Sequence, residues 1–226
     1  MAAKVSGASF QVPAHAEDAK AIRVKLDLQS EYGKAFKEVL MRVQQALKGS
    51  QPGVLPLRMY IAGGAAVHLL TGGRVSADID AAFSTKVLFD DEISVAYRDL
   101  DGRARMLYLD RNYNDTLGLM HENAYADSRK LDVPGIDSNV IEVRVLSPLD
   151  LAVTKLSRFG DADRDDIEKL AKMGLIDSVS LRRRAEEALG GYVGNLDSVR
   201  ASIDIACRLV DAAASQKRRK RSRDAQ

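Results

Sequence analysis

RMYIAGGAAVHLLTGGRVSADIDAAF, residues 58–83, joins an apolar strand-like run to a Gly63-Gly64 pair, a small-residue segment of helical character, and Asp78-Ile79-Asp80. On a strand, side chains i and i+2 point the same way, so Asp78 and Asp80 project together and Ile79 points to the opposite face. Two convergent carboxylates fenced by apolar residues repel each other, and burying them is unfavourable unless a cation sits between them. Magnesium, with manganese as its substitute, suits oxygen-only ligands, and nucleotide phosphates commonly complete its shell. The Gly63-Gly64 turn supplies what a phosphate needs from the other side. Glycine lets backbone N–H groups approach an anion, and the following helix N-terminus adds partial positive charge. Arg74 and Ser76, just before the acids, are candidates to contact phosphate or to hold the loop. Taken singly, an Asp-x-Asp is a solvated pair and a Gly-Gly is a turn; their order within one short stretch makes them a candidate site.

Around this stretch the chain reads as an α/β half followed by a helical half. Residues 1–29 are polar, with one alternating piece, IRVKLDL, expected as an extended arm or edge strand. Phe36, Val39, Leu40, Val43 and Leu47 fall on one face of a 3.6-residue helix that Gly49 closes. ISVAYRD and ARMLYLD, flanking Leu100-Asp101-Gly102, predict a hairpin. Residues 112–138 are expected to be part helix and part loop, and NVIEVRVL a strand. At Ser147-Pro148-Leu149-Asp150 the period changes to that of a capped helix. Further helices are expected at about 162–173, 179–189 and 196–213. The expected organisation is an α/β domain with an N-terminal arm over 1–146, a helical domain over 147–214, and a disordered basic tail over 215–226.

Composition sets wide limits. The chain has 226 residues, 46% hydrophobic and 29% charged, enough for a sizeable core. Its 34 Lys and Arg nearly balance 32 Asp and Glu, so the only basic bias is local, at Lys217-Arg218-Arg219-Lys220-Arg221. Such a run holds polyanions through phosphate contacts or is simply solvated. The single cysteine, Cys207, excludes a disulfide framework and a cysteine-built zinc site, and fits a reducing compartment. No apolar run reaches membrane-spanning length and no long apolar leader opens the sequence, so the expected setting is cytoplasmic with no membrane partner. His15, His68 and His121 are too scattered to form a metal site.

The central stretch resembles the nucleotidyltransferase superfamily of DNA polymerase beta type, in which an apolar strand, Gly-Gly or Gly-Ser, a helix and an Asp-x-Asp strand follow one another. GGAA at 63–66 and RVSADID at 74–80 are more similar still to the abortive-infection, AbiEii-like nucleotidyltransferases, which include type IV toxin–antitoxin toxins. SPLDLAVTKLSRFGDADRDDIEKL, 147–170, resembles that group's second block, with Lys155 on its lysine and Asp163 and Asp166 on its acids; Ala162 stands where a lysine is usual. YNDTLGLMHENAY, 113–125, is similar to a segment of an uncharacterised branch of the group.

The resemblance implies a small mixed-sheet domain and a magnesium-dependent transfer of a nucleoside monophosphate from an NTP, ATP among them. The implied acceptor is an RNA, tRNA included, a protein or a small molecule, and the implied partner a cognate antitoxin or regulatory protein. It further implies a third acid on a later strand, for which Glu142 in VIEVRV is the candidate. Its plainer role is a surface pair with Arg144. Lys155, Asp163 and Asp166 are then candidate nucleotide contacts. Lys155 is alternatively a snorkelling lysine, and the two acids are alternatively braces of the helical half. The rival to an enzyme is a catalytically inactive nucleotidyltransferase-like protein that binds or regulates; a third possibility is a basic-tailed nucleic-acid-binding protein without chemistry.

Overall fold

The computed structural model describes residues 3–5, 27–48, 54–113 and 118–224. Most of the alternating stretch IRVKLDL lies outside the described residues. The chain divides into two compact units: residues 1–113 with 125–146, and residues 114–124 with 147–226.

In the first unit, β1 (Ala3–Val5) pairs antiparallel with β4 (Val87–Phe89) as a small separate ribbon. The main sheet is mixed and six-stranded. It contains β2 (Leu57–Ile61), β3 (Asp78–Phe83), β5 (Ser94–Arg98), β6 (Ala104–Asp110), β7 (Arg129–Lys130) and β8 (Ile141–Val145), in the order β5-β6-β3-β2-β8-β7. β3 runs parallel to β6 and β2 parallel to β8, while β2–β3, β5–β6 and β7–β8 are antiparallel. The β5–β6 hairpin turns where expected, with Gly102 at φ +76°. Residues 118–128, of which 118–124 belong to the second unit, form turns with no helix. Asn, Asp, Ser and Gly there favour local side-chain hydrogen bonds over a helical ladder.

One face of this sheet is the core. Met59, Ile61, Ile79, Leu107, Leu109, Val143 and Val145 are all at most 2% exposed. Against it lie α1 (Glu31–Leu47) and α2 (Gly63–Thr71). Ser30 caps α1 by accepting the Gly33 N–H at 3.0 Å. The predicted stripe Phe36, Val39, Leu40, Val43 and Leu47 is fully buried, each side chain contributing roughly 1.5–3 kcal/mol. The opposite face carries the even-numbered residues of β3 and β6: Asp78, Asp80, Met106, Tyr108 and Asp110. Met106 and Tyr108 are exposed there.

The second unit is helical: α3 (Pro148–Thr154), α4 (Asp161–Met173), α5 (Ser178–Ala188) and α6 (Leu196–Asp224). Ser147 caps α3 through the Asp150 N–H. Leu151, Val153, Ile167, Leu170, Leu181, Val199, Ile203 and Val210 form its core. Cys207 is a free, buried thiol in that core, and burial pushes its pKa up. The α6 backbone stays helical to Asp224, beyond the Ser215 at which the sequence pattern ends the helical half. Arg and Lys are good helix formers, and no Gly or Pro interrupts them there.

Candidate active site

The site begins where β2 runs out. The Ala62 N–H donates to the Asp80 carbonyl at 2.8 Å, and the chain then turns through Gly63 at φ +58°. A Cβ on Gly63 would stand 1.7 Å from Asp80 Oδ2, so this position is glycine for its backbone angle and for space. A Cβ on Gly64 would stand 2.9 Å from Ser76 Oγ and 3.6 Å from an Arg74 guanidinium nitrogen. The Gly63-Gly64 turn is therefore the floor against which Asp80, Ser76 and Arg74 rest. α2 starts on this turn, and no side chain caps its N-terminus. Backbone N–H groups of an uncapped first turn favour an anion.

The acids come next. Asp78 and Asp80 share a face of β3, and Asp78 Oδ1 accepts a hydrogen bond from the Ser76 hydroxyl. The β3–β6 register sets Tyr108 beside Asp78 and Asp110 beside Asp80. Lateral neighbours in a sheet point to the same side, so Asp110 is a third carboxylate on that face. Its Oδ1 accepts the Asn112 N–H at 2.8 Å. Electrostatics agree with the register. The Tyr108 phenol is raised above its ordinary pKa first by Asp78, then by burial, then by Asp110, Asp80 and Glu92.

Sequence reading missed Asp110. Its signal is an apolar strand, ARMLYLD, that ends on an acid, but only the register identifies its neighbour. Among the described residues no three His, Cys, Asp or Glu side chains are already drawn together as a metal cage. The donor chemistry nevertheless fits a magnesium ion. Three carboxylates on one sheet face offer hard oxygen ligands, beside a glycine turn and a helix N-terminus that no side chain caps.

Glu142, the expected third acid, does not join them. β8 runs parallel to β2, with Glu142 level with Arg58, whereas Asp80 pairs with Ala62 at the other end of β2. Four residues of strand separate the two levels by roughly 13 Å. Glu142 Oε1 instead meets Arg144 Nη1 at 2.8 Å and Arg58 Nε at 3.8 Å. Arg144 is further held by Ser128 Oγ at 2.8 Å and the Ser128 carbonyl at 2.5 Å. Alternation in VIEVRV gives the face of Glu142 but not its level along the sheet.

Lys155, Asp163 and Asp166 form a buried ion cluster within the helical unit. Lys155 Nζ lies 2.8 Å from Asp166 Oδ2 and 3.6 Å from Asp163 Oδ1. Arg158 grips Asp163 with two bonds of 2.8 and 2.7 Å, and the Gly160 N–H donates to it at 3.0 Å. Burial works to raise the Asp163 pKa, but Arg158, Lys155 and the Gly160 amide outweigh it and hold the carboxyl below its ordinary range. The three residues serve as braces between the end of α3 and the start of α4. Asp150, 1% exposed, is similarly held by Arg184 Nε at 2.8 Å. His121 is buried too: Nδ1 accepts the Asn123 N–H at 3.0 Å, and Nε2 lies 3.2 Å from Glu187 Oε2. That arrangement assigns His121 to the structure of the helical unit.

No curated protein and no solved structure matches the chain. A model of a family described as a nucleotidyltransferase of unknown function matches residues 38–204, which include the glycine turn, all three aspartates and the Lys155 cluster. With well over half its length matched, the chain belongs to this family, DUF6036.

Proposed function

We propose that this chain is a magnesium-dependent nucleotidyltransferase that moves a nucleoside monophosphate from an NTP to a hydroxyl on RNA or protein, in the manner of AbiEii-like toxins. The observation that carries this is the fit of Asp80 onto Gly63, which joins the phosphate-accepting turn to the carboxylate face. The triphosphate lies on the Gly63 and Gly64 N–H groups and the N-terminus of α2. Arg74 and Ser76, against the same turn, donate to its oxygens. Asp78, Asp80 and Asp110 would hold the metal. Magnesium, when bound, neutralises charge on the phosphates and on the leaving pyrophosphate. Asp110 takes the proton of the acceptor hydroxyl. The new bond joins the acceptor oxygen to the α-phosphorus, and the α–β bridging bond breaks with its electron pair leaving on pyrophosphate.

The experiment is incubation with each α-labelled NTP, magnesium, and total cellular RNA or protein. Label is expected on one acceptor class in the parent and to be absent from Asp110→Asn. A second function, nucleotide binding without transfer, draws on the local hydrogen bonds that already occupy Asp78 and Asp110. It predicts nucleotide-dependent stabilisation with no label transferred to any acceptor.

A further inference from the structure

Tyr32, in the first turn of α1, is 5% exposed, and its hydroxyl is the one buried side-chain polar atom among the described residues without a hydrogen-bond partner. A buried hydroxyl left unpaired is destabilising, and native structures retain few of them. Its ring is fixed by edge contacts with His68 at 4.6 Å and Tyr97 at 5.8 Å. His68 belongs to α2, and its Nδ1 lies 2.9 Å from the Gly73 carbonyl. Thr71 Oγ1 accepts the Gly73 N–H at 3.1 Å. The 72–77 loop is thus tethered to α2 at Gly73, while farther along it presents Arg74 and Ser76 to the Gly63-Gly64 turn.

Burial pushes the Tyr32 phenol far above its ordinary pKa and Tyr97 adds to the rise; the Ser76 backbone N–H, which faces the hydroxyl without reaching hydrogen-bond geometry, opposes it, and Asp78 adds again. Tyr32 therefore stays a neutral hydroxyl at physiological pH, with the Ser76 amide and the Asp78 carboxylate as its polar surroundings.

We propose that Tyr32 is a positioning residue for nucleotide binding: its hydroxyl accepts the Ser76 backbone N–H when the 72–77 loop settles on the triphosphate, fixing Arg74 and Ser76 over the glycine turn. This rests on the nucleotidyltransferase function proposed for the site. Ser76 has competing calls on its hydroxyl, since the side chain that donates to Asp78 also borders Gly64. A hydroxyl that turns towards phosphate leaves the loop short of an anchor, and Tyr32 supplies one through the backbone.

The test is a thermal-shift series on the full chain and on Tyr32→Phe. Each is measured alone, with manganese, and with manganese plus each of the four α,β-methylene NTPs in turn. Binding of the best nucleotide is then titrated by calorimetry. Tyr32→Phe is expected to melt at or above the parent when alone, because an unpaired buried polar group is gone. It is expected to bind nucleotide about tenfold more weakly, the effect of losing one anchoring hydrogen bond, with manganese binding unchanged. Equal nucleotide affinity in parent and variant would overturn the role of Tyr32 and leave the function intact. A variant that melts well below the parent without ligand would also overturn it, since the hydroxyl would then be an ordinary structural bond. A parent that no nucleotide shifts would remove the proposed function and the role of Tyr32 together.

Discussion

Asp80 Oδ2 occupies the space in which a Cβ on Gly63 would have to sit, 1.7 Å away. The turn that would receive phosphate and the acid that would receive metal are therefore built as one unit. Gly63→Ala forces two penalties: a left-handed backbone angle for alanine and displacement of the carboxylate. Together they are expected to lower stability by about 1–3 kcal/mol in chemical denaturation. Asp80→Ala in the same chain should recover the steric part and leave the backbone part. A Gly63→Ala variant as stable as the parent would show that the two groups do not compete for one space.

The Lys155 cluster is expected to behave as a fold-holding element. Lys155→Met leaves Asp166 without the ammonium 2.8 Å away in a buried setting. Removing one partner of such a pair is expected to destabilise by about 3 kcal/mol. The loss should be the same with and without magnesium and nucleotide, which a paired set of urea titrations would read. A loss that appears only in ligand-dependent stability would return Lys155 to a nucleotide-binding role.

Acid should strike at Asp163. Its folded pKa is held below the unfolded value, mainly because Arg158 and Lys155 outweigh the effect of burial. A depressed carboxylate contributes stability that is fully present above its unfolded pKa, near 3.9, and is lost as pH falls through the folded value. Melting temperature should therefore fall as pH drops below about 4, where the unfolded chain takes up a proton that the folded one resists. Asp163→Asn should be less stable at neutral pH and show a shallower acid slope. An unchanged slope would assign the acid sensitivity to other carboxylates.

Much of this architecture is legible in the residues. The α1 stripe, the Gly-Gly turn, the Asp-x-Asp strand, the β5–β6 hairpin and the helical half all follow from local period and turn chemistry. What sequence does not supply is register. VIEVRV and ARMLYLD both read as strands with an acid, and VIEVRV lies nearer the helical half. Only the pairing of β6 with β3 and of β8 with β2 decides which acid stands beside Asp80. Strand pairing depends on contacts far apart in the chain, which a local pattern does not encode. The same limit applies to Lys155, Asp163 and Asp166: helical spacing puts Asp163 on the apolar face, Asp166 at its border and Lys155 on a flank, but the burial of Lys155 and the distances among the three are a tertiary result.

That distinction gives a direct comparison of the two acids. Asp110→Asn is expected to reduce nucleotidyl transfer at least about a hundredfold, as loss of a proton acceptor does. Glu142→Gln is expected to leave transfer within a few-fold of the parent while loosening Arg58 and Arg144. Initial rates of label transfer read both. The reverse ranking would place the reaction at the other end of the sheet.

If Asp78 and Asp80 hold metal for nucleotidyl transfer, label transfer by Asp78→Asn/Asp80→Asn must differ from that of the parent. Each protein is incubated with α-labelled NTPs, magnesium and total cellular RNA or protein, and its ligand-free melting temperature is recorded in parallel. The double variant is expected to melt at or above the parent, since a repulsive carboxylate pair has been neutralised, while label transfer falls to background. A double variant that melts well below the parent, beside a parent that transfers no label from any NTP, would contradict the metal-holding role and make the two aspartates a structural pair.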